Sequence, residues 1–395
     1  MTKPTFSCWP SFDREIIDAV QNVLVSGKVN QWTGQNVYTF EKEYAQYLGV
    51  KHAVAMANGS VTLDVALRIL GIGRGDEVVV TSRSFVASAS CVALTGALPV
   101  FSDIDPISGN MTAESIQAVC TPRTRAVIVV HLAGWPCDMD AIVSLCRSKK
   151  IFLIEDCAQA HGAHYKGKPV GSFGDFGSFS FCQDKIITTG GEGGLLVSNN
   201  SVLWKKAWSL KDHGRDFDVV FGRKAGTGFK WMVNSFGTNY RMTEMQAAIG
   251  RIQLRRLDRM VSIRRRNADI LSRAFKNLPG LVVPLVQDDS FHAYYKYYTY
   301  LDPKSLRSGW SRDRIAHELM KMNISCGSGA CPEIYREKAF QYQRRKMKLP
   351  AQTRFANARK LGQSSLMFQV HPTLTKESMK YIAEQLGRVL KKAGK

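Results

Sequence analysis

Short apolar runs alternate with helix-like stretches along the chain from Lys51 onward. The apolar runs predict buried strands at Ala53–Met56, Glu77–Thr81, Pro99–Asp103, Ala126–Leu132 and Ile151–Asp156. Helical stretches between them begin near Ser60, Ser84, Thr112 and Asp138. Strands and helices that alternate on this scale predict a mostly parallel sheet covered on both faces. Ligands of such sheets gather at the carboxyl ends of the strands, so chemistry-bearing residues are expected there.

The two ends of the chain follow other patterns. Residues 12–50 predict a helix, a turn and a second helix, with Gln31–Asn36 as the polar connection. Glu244–Arg266 predicts one long helix that leads out of a large domain. Beyond it, strands are predicted at Leu281–Leu285 and Tyr294–Leu301, and amphipathic helices at Ser311–Met322 and Thr375–Lys392. We therefore predict an α/β protein with a large αβα domain (residues 1–265) and a small C-terminal α+β domain (residues 266–395).

A single lysine, Lys185, lies between two predicted strands, Gly177–Phe181 and Leu195–Ser198. Burial there would remove water from the ammonium and lower its pKa, which favours formation of a Schiff base with an aldehyde. Glycines at 190, 191, 193 and 194 let the backbone pass close to a bound molecule. The same residues also fit an exposed loop lysine beside a hairpin turn, and this stretch alone does not decide between the two.

An acid at the end of an upstream strand favours the first interpretation. Ile151–Asp156 is apolar until it ends in Glu155 and Asp156. A carboxylate at a strand's carboxyl end, together with a lysine on a neighbouring strand, is the pair that pyridoxal phosphate needs. Asp156 would hold the pyridine nitrogen protonated, so that the ring can act as an electron sink, and Lys185 would hold the aldehyde.

Four segments in the same order resemble the DegT/DnrJ/EryC1/StrS aminotransferases. They are Glu155–Gly162, Gly171–Phe181, Lys185 and Asn239–Ala248. The resemblance is continuous from about Gln31 to Leu257 and thinner beyond. It implies the fold type I of pyridoxal-phosphate enzymes, that of aspartate aminotransferase. It also implies transfer of an amino group from an amino acid, L-glutamate, to a 3-keto or 4-keto deoxysugar on a nucleotide, as in O-antigen or other amino-sugar synthesis.

The resemblance assigns cofactor contacts to residues that would otherwise look ordinary. Gly59 and Ser60 open a helix whose N–H groups suit a phosphate, although a simple helix cap is the alternative. Phe85 is expected to lie flat against the pyridine ring, and core packing is the alternative. Gln159 and Ser180 match positions near the cofactor's phenolic oxygen and its phosphate. Each of these residues is therefore a candidate cofactor ligand.

The expectation of a homodimer rests on Asn239. It matches an asparagine that reaches the cofactor phosphate of the neighbouring protomer, which implies a homodimer with shared active sites. Its alternative role is to cap the turn before the next helix. The resemblance also places Gln31–Asn36 near the substrate and sugar contacts near Cys326–Tyr335. The segment Trp204–Gly237 is either a substrate-covering loop or a surface insertion, and His371 is left undecided.

Composition narrows the class of protein. The chain has 395 residues, of which 45% are hydrophobic, enough for one large core and a smaller one. Neither a run of eighteen apolar residues nor an apolar signal core is present, which predicts a soluble cytoplasmic protein without a membrane span. Nine scattered cysteines without a Cys-x-x-Cys pair argue against a disulfide framework and a zinc site, and no metal is predicted.

The net charge of +21 raises the question of a polyanionic partner. Its clusters, Arg251–Arg266, Arg344–Lys348 and Lys391–Lys395, belong to no recognisable nucleic-acid module, so a solvated basic surface is favoured. A narrower role is attraction of a nucleotide diphosphate. Two alternatives to an aminotransferase stay open. A sugar dehydratase of the same fold would carry histidine in place of Lys185, and a non-catalytic DNA- or polyanion-binding protein would not require an intact Asp156.

Overall fold

We describe residues 4–222, 233 and 235–395 of the protein in a computed structural model. The strands, in chain order, are β1 (His52–Met56), β2 (Glu77–Thr81), β3 (Leu98–Ser102), β4 (Thr124–Val130), β5 (Phe152–Asp156), β6 (His164–Tyr165), β7 (Lys168–Pro169), β8 (Phe176–Ser180), β9 (Gly194–Ser198), β10 (Leu281–Val282), β11 (Ser290–Phe291), β12 (Tyr297–Leu301), β13 (Cys326–Gly327) and β14 (Ser365–Phe368).

The α-helices, in chain order, are α1 (Arg14–Val25), α2 (Asn36–Leu48), α3 (Gly59–Ile69), α4 (Ala87–Leu94), α5 (Ala113–Gln117), α6 (Met139–Lys149), α7 (Ser201–Lys211), α8 (Phe217–Gly222), α9 (Glu244–Arg255), α10 (Leu257–Phe275), α11 (Arg312–Lys321), α12 (Lys338–Lys346), α13 (Ala356–Ser364) and α14 (Lys376–Ala393). Among these described helices, none combines the length and the apolar character that crossing a membrane requires.

The central sheet has seven strands in the order β1-β9-β8-β5-β4-β2-β3. Strands β8, β5, β4, β2 and β3 pair in parallel, whereas β9 runs antiparallel to both of its neighbours, β1 and β8. The predicted mostly parallel sheet is therefore confirmed. This direction pattern brings the carboxyl ends of β5 and β8, at Asp156 and Ser180, to the same edge as the start of β9 at Gly194.

Helices cover both faces of this sheet. In β9, Leu195 and Val197 pack into the core beneath α2 and α9, while Leu196 points to the opposite core beneath α3 and α7. Alternate side chains of one strand are thus buried on both sides. This double burial explains why the strands appear in the sequence as continuous apolar runs rather than as alternating ones.

The single long helix predicted over Glu244–Arg266 is wrong. The chain forms two helices, α9 and α10, and Arg256 lies between them with φ −98° and ψ −1°. No proline or glycine marks this bend, so the helical pattern continues across it in the sequence. Leu254 and Leu257, on either side of the bend, both remain in the core under α2. The predicted domain boundary at residue 265 falls inside α10, and the two-domain division stays a prediction.

A second, antiparallel sheet lies in the C-terminal part, with strand order β10-β12-β14-β13. Its core contains Phe275, Leu366, Phe368 and Leu386, contributed by α10, β14 and α14. The predicted strand Leu281–Leu285 is shorter, ending at Val282, and β14 has no counterpart among the predicted strands. Only four residues long and preceded directly by α13, β14 offers little periodicity for a pattern to detect.

Candidate active site

A cavity of about 900 Å³ lies at the carboxyl edge of the central sheet, between this edge and the C-terminal part. Seven of the eight sequence-predicted site residues line it: Gly59, Ser60, Phe85, Asp156, Gln159, Ser180 and Lys185. We call this group the sheet wall. The opposite side, which we call the C-terminal wall, is formed by Tyr295, Lys296, Tyr298, residues 329–331, Met367 and Gln369.

Lys185 lies in the connection between β8 and β9, and its side chain is only 14% exposed. Its Nζ is 3.9 Å from Oδ1 of Asp184 and 4.9 Å from the centre of the Tyr295 ring. The indole N–H of Trp9 donates to the carbonyl oxygen of Lys185 at 2.9 Å, which fixes the backbone here. The alternative of an exposed loop lysine is therefore wrong, because the amine is largely enclosed and faces the cavity.

Asp156 ends β5 and is 5% exposed. Its carboxylate accepts hydrogen bonds from Oγ of Ser88 at 2.7 Å and from the N–H of Ala158 at 3.1 Å. Burial raises the pKa of Asp156, and the two hydrogen bonds partly oppose this shift. No ion pair to this carboxylate is found in the described parts of the chain. A buried carboxylate in this situation suits a ligand that brings its own N–H⁺ group.

A network beside Asp156 fixes the position of its strand. Glu155, fully buried, accepts the N–H of Gly171 at 2.7 Å and lies 3.1 Å from Nε2 of His131. Nδ1 of His131 accepts the N–H of Cys137 at 3.0 Å, so Nε2 carries the proton and donates to Glu155. His131, Glu155 and Cys157 bring metal-ligating atoms within 4.8 Å of one another. Because the histidine and the carboxylate are already committed to hydrogen bonds, this cluster is better explained as structural support.

The start of α3 contacts the end of β8. Asn58 is the N-cap residue, and its Oδ1 accepts the N–H groups of Ser60 and Val61 at 3.1 and 3.0 Å. Two of the N–H groups that were predicted to bind a phosphate are therefore already hydrogen-bonded to Asn58. A Cβ on Gly59 would lie 2.5 Å from Cβ of Ser180, so only glycine allows this approach. The exposed Ser60 and the Ser180 hydroxyl thus face the same end of the cavity.

Phe85 and Gln159 occupy different parts of the sheet wall. The Phe85 side chain is 65% exposed, so the alternative of core packing is wrong and its ring is available for stacking. Gln159 is buried, and its Oε1 accepts the N–H of Ala133 at 2.8 Å. This bond fixes the orientation of the Gln159 amide toward the cavity that it lines.

The C-terminal wall was largely missed from the sequence. Lys296 Nζ donates to Oε1 of Gln369 at 2.9 Å, and the hydroxyl of Tyr298 accepts the N–H of Ala330 at 2.8 Å. Spacing by two along an extended segment places Lys296 and Tyr298 on one side, and this was the available signal. Residues 329–331 lie within Cys326–Tyr335, where the resemblance placed sugar contacts.

Ser88 and Asp184 were also missed. Ser88 follows Phe85 by three residues and lies at the beginning of α4, and both residues line the cavity. Asp184 adjoins Lys185 and was available from sequence as an acid next to a candidate nucleophile. Neither residue stood out, because serine and aspartate are common in helix starts and turns.

Asn239 does not line the cavity of its own chain. It is exposed, and its Oδ1 accepts the N–H of Arg241 at 3.3 Å. The helix that follows is capped instead by Thr243, whose hydroxyl accepts the N–H of Gln246. Asn239 therefore closes the turn, as its alternative role requires, and leaves helix capping to Thr243. Its contribution to a neighbouring protomer stays a prediction.

Three further segments singled out in the sequence lie elsewhere. Gln31 is buried, and its Oε1 accepts a hydrogen bond from Lys211 at 3.0 Å. His371 lines an adjoining cavity of about 300 Å³, and burial lowers its pKa to about 3. Within Trp204–Gly237, α7 and α8 are described, whereas the glycine-containing stretch 226–231 lies outside the described residues.

The basic clusters differ in how they are used. Within Arg251–Arg266, Arg251 forms an ion pair with Glu43 at 2.9 Å, and Arg264 is fully buried. In Arg344–Lys348, by contrast, most of the cations are exposed at the end of α12. The first cluster thus contributes to packing between elements. Among the described residues, the buried lysines and arginines are Arg83, Lys211 and Arg264, so most of the positive charge lies on accessible side chains, and the solvated basic surface stays a prediction.

Comparison with known proteins gives consistent results. A model of the DegT/DnrJ/EryC1/StrS aminotransferase family matches residues 10–387. The spore coat polysaccharide biosynthesis protein SpsC of Bacillus subtilis is 34% identical over 97% of this chain and 96% of its own. The GDP-perosamine synthase of Escherichia coli O157:H7 is 35% identical over 89% of this chain and 90% of its own.

Solved structures show the same similarity. An aminotransferase from Psychrobacter cryohalolentis has a TM-score of 0.95 and 48% identity, covering 98% of this chain and 99% of that one. The Streptococcus pneumoniae protein Spr1654, solved in its PLP form, has a TM-score of 0.85 and 25% identity over 97% of both chains. The fold predicted from the sequence is therefore confirmed.

Proposed function

We propose that this chain, which belongs to the DegT/DnrJ/EryC1/StrS aminotransferase family and is an aminotransferase, aminates a keto-deoxysugar. The amino donor in this proposal is an amino acid, L-glutamate, and the acceptor is a 3-keto or 4-keto sugar linked to a nucleotide. Its product would enter surface-polysaccharide or O-antigen synthesis. The names of the relatives support this choice, since one makes GDP-perosamine and another acts in spore coat polysaccharide biosynthesis.

One observation carries the proposal. Lys185 and Asp156 are both largely buried and line the same cavity; Asp156 ends β5, and Lys185 lies in the connection that follows the neighbouring strand β8. A non-catalytic protein on this fold would have no reason to keep a buried carboxylate without a cationic partner, since burying a charge is costly. A sugar dehydratase of this type would lack the lysine.

The residues present fit pyridoxal phosphate, on which this family's aminotransferases depend. Lys185 would hold the aldehyde carbon, Asp156 the pyridine N–H⁺ and Phe85 the face of the ring. The close approach of Gly59 to Ser180 leaves the phosphate the end of the cavity bounded by Ser60. When bound, the cofactor supplies an electron sink that stabilises negative charge on the carbon from which a proton is removed.

The chain's own groups then have separate tasks. Asp156, held by Ser88 and Ala158, keeps a proton on the pyridine nitrogen and thereby maintains the sink. Lys185, when its amine is free, would act as the acid–base group that holds the proton and moves it between the cofactor carbon and the substrate carbon. The C-terminal wall binds the sugar, and its polar groups Tyr298 and Gln369 orient it.

The proposal is tested by incubating the purified protein with L-glutamate and a panel of nucleotide-linked 3-keto and 4-keto deoxysugars. Mass spectrometry should find a product in which one carbonyl oxygen has been replaced by an amino group, with 2-oxoglutarate formed in equal amount. Activity with L-glutamine instead would change the donor alone. Absence of any aminated sugar from a protein that carries pyridoxal phosphate would refute the proposed acceptor.

The proposal includes a homodimer in which each protomer contributes Asn239 to the other's site. Asn239 is exposed and is not on the cavity wall of its own chain, so it is available to a second copy. A closed two-fold dimer uses one patch twice, so both sites would be completed in the same way. Phe236, fully exposed three residues earlier, is an apolar side chain that such a contact would cover.

A further inference from the structure

Asp184 lies on the cavity wall between two lysines. Its Oδ1 is 3.9 Å from Nζ of Lys185, and its Oδ2 is 3.5 Å from Nζ of Lys296. The hydroxyl of Tyr295 donates to the same carboxylate. Lys296 also donates to Gln369, so it is held in place independently of Asp184. One anion is thus shared by two cations, of which only Lys185 takes part in the proposed reaction.

The charge state of this group follows from its surroundings. Burial alone would raise the pKa of Asp184, but attraction to Lys185 and Lys296 and the hydrogen bond from Tyr295 lower it below its usual value. Asp184 is therefore an anion at neutral pH. Burial lowers the pKa of Lys296, and attraction to Asp184 opposes this shift.

Other titratable groups surround the pair. They are Asp156, His161, Arg264 and His371. Burial lowers the pKa of both histidines to about 3, so neither carries charge at neutral pH. Burial also lowers the pKa of Arg264, to about 9, which leaves it a cation. Apart from Asp156, which the proposed function pairs with the cofactor ring, the charged side chains that act on Lys185 Nζ through this contact are therefore Asp184 and Lys296.

We infer that Asp184 is a positioning residue that keeps a proton on the Lys185 nitrogen while this nitrogen is bonded to the cofactor aldehyde carbon. The inference rests on the proposed function. An anion about 4 Å away favours the charged form of that nitrogen, and Lys296 on the other side of Asp184 opposes it. The carbon bonded to a protonated nitrogen is attacked more readily by the incoming amine. Asp184 would therefore prepare the site for the amino donor.

The side chain of Asp184 is about half-exposed and lines the cavity. Because it is not packed in the core, its charge can be removed with little change in packing. Asparagine at this position keeps the shape and can still accept from Tyr295, but it has no charge. Replacing Lys296 by methionine keeps the side chain unbranched and only one atom shorter, and it removes the opposing cation. The two substitutions should therefore act in opposite directions, which a merely structural role does not predict.

The test is a pH titration of the visible absorbance of the cofactor-loaded protein, because protonation of the linking nitrogen changes the colour. Without the anion the protonated form is less stable, so Asp184→Asn should lower the midpoint by about one pH unit. Lys296→Met should raise it, by about half a unit. Asp184→Glu should restore most of the wild-type midpoint. Asp140→Asn, which breaks an exposed pair with Lys166 at 2.6 Å, is the matched control and should leave it unmoved.

The outcomes separate this inference from the proposed function. A wild-type protein that binds no cofactor on Lys185 would refute the proposed function itself. Suppose instead that the absorbance of the cofactor-loaded wild-type protein titrates with pH, and that Asp184→Asn binds cofactor and has the same midpoint. That result would refute the inference and leave the proposed function standing. If Asp184→Asn fails to fold, Lys296→Met still decides, because a midpoint that stays or falls in that variant overturns the inference.

Discussion

The two walls of the cavity are built in different ways. On the sheet wall, Asp156 and Ser180 end the neighbouring strands β5 and β8, and Lys185 lies in the connection that follows β8. The C-terminal wall takes Tyr298 from β12, residues 329–331 from the loop after β13, and Gln369 from beyond β14. The sheet wall is thus fixed by the topology of one sheet. The C-terminal wall depends on how several short elements pack together.

This difference corresponds to a difference in expected function. Groups that hold the cofactor must act on every substrate, and a rigid sheet edge suits residues whose positions cannot vary. Groups that bind the sugar need only suit one substrate, and loops on a scaffold are where such specificity usually lies. Substitutions on the sheet wall should therefore stop the chemistry. Substitutions on the C-terminal wall should change KM and substrate choice.

The largest effect is expected for Lys185→Ala. Without the amine, the protein should bind pyridoxal phosphate only non-covalently and lose turnover by about four decades or more. Borohydride reduction followed by peptide mass analysis should find the cofactor attached to Lys185 in wild type and to no lysine in the variant. Lys166→Ala, at an exposed ion pair, is the control and should behave as wild type. Full activity of Lys185→Ala would show that Lys185 is not the residue that binds the cofactor.

Asp156→Asn should have the next largest effect. Asparagine keeps the shape but cannot hold the pyridine nitrogen protonated, so the electron sink is weakened. The rate should fall by about three decades, corresponding to about 4 kcal/mol in the barrier, as measured by single-turnover kinetics with L-glutamate. Ser88→Ala, which removes one hydrogen bond to this carboxylate, should cost about tenfold. An Asp156→Asn protein within tenfold of wild type would show that another group partners the ring.

The same contrast explains what could be predicted from the sequence. Asp156 and Lys185 follow strong apolar strands, so a strand pattern and parallel topology bring them together without further information. Tyr298 and Gln369 belong to elements of five and four residues or to their flanks, where periodicity is too short to give register or neighbours. The bend at Arg256 could not be predicted either, since neither proline nor glycine marks it in the sequence.

Subunit mixing would show whether Asn239 of a second protomer completes the sheet wall. Lys185→Ala and Asn239→Ala proteins, each of low activity, are combined under conditions that exchange subunits. If Asn239 serves the neighbouring protomer, one site of each hybrid carries both defects and the other carries neither. Equal mixing should then recover about a quarter of wild-type activity. No recovery despite exchange confirmed by mass spectrometry, or a fully active monomer, would return Asn239 to closing its own turn.

The smallest effect is expected on the C-terminal wall, for Tyr298→Phe. The hydroxyl of Tyr298 accepts the N–H of Ala330 at 2.8 Å, and the backbone of Gly329 passes so close that any side chain there would overlap this hydroxyl. Tyr298 therefore fixes residues 329–331, the loop that would face the sugar in the proposed function. Loss of one such hydrogen bond costs about 1 kcal/mol, so KM for the keto-sugar should rise about fivefold.

The comparison between the walls requires that this change be selective. Among the described residues, the hydrogen bond and the cation–π contact of Tyr298 are to Ala330 and Arg83 and not to the proposed cofactor ligands Asp156 or Phe85, so the half-reaction with L-glutamate should stay within about twofold of wild type. Tyr342→Phe, at an exposed tyrosine on α12, provides the control and should alter neither value. If Tyr298→Phe instead slowed both half-reactions equally, the hydroxyl would be acting on the cofactor side, and the division of the cavity into a chemical wall and a substrate wall would fail at this residue.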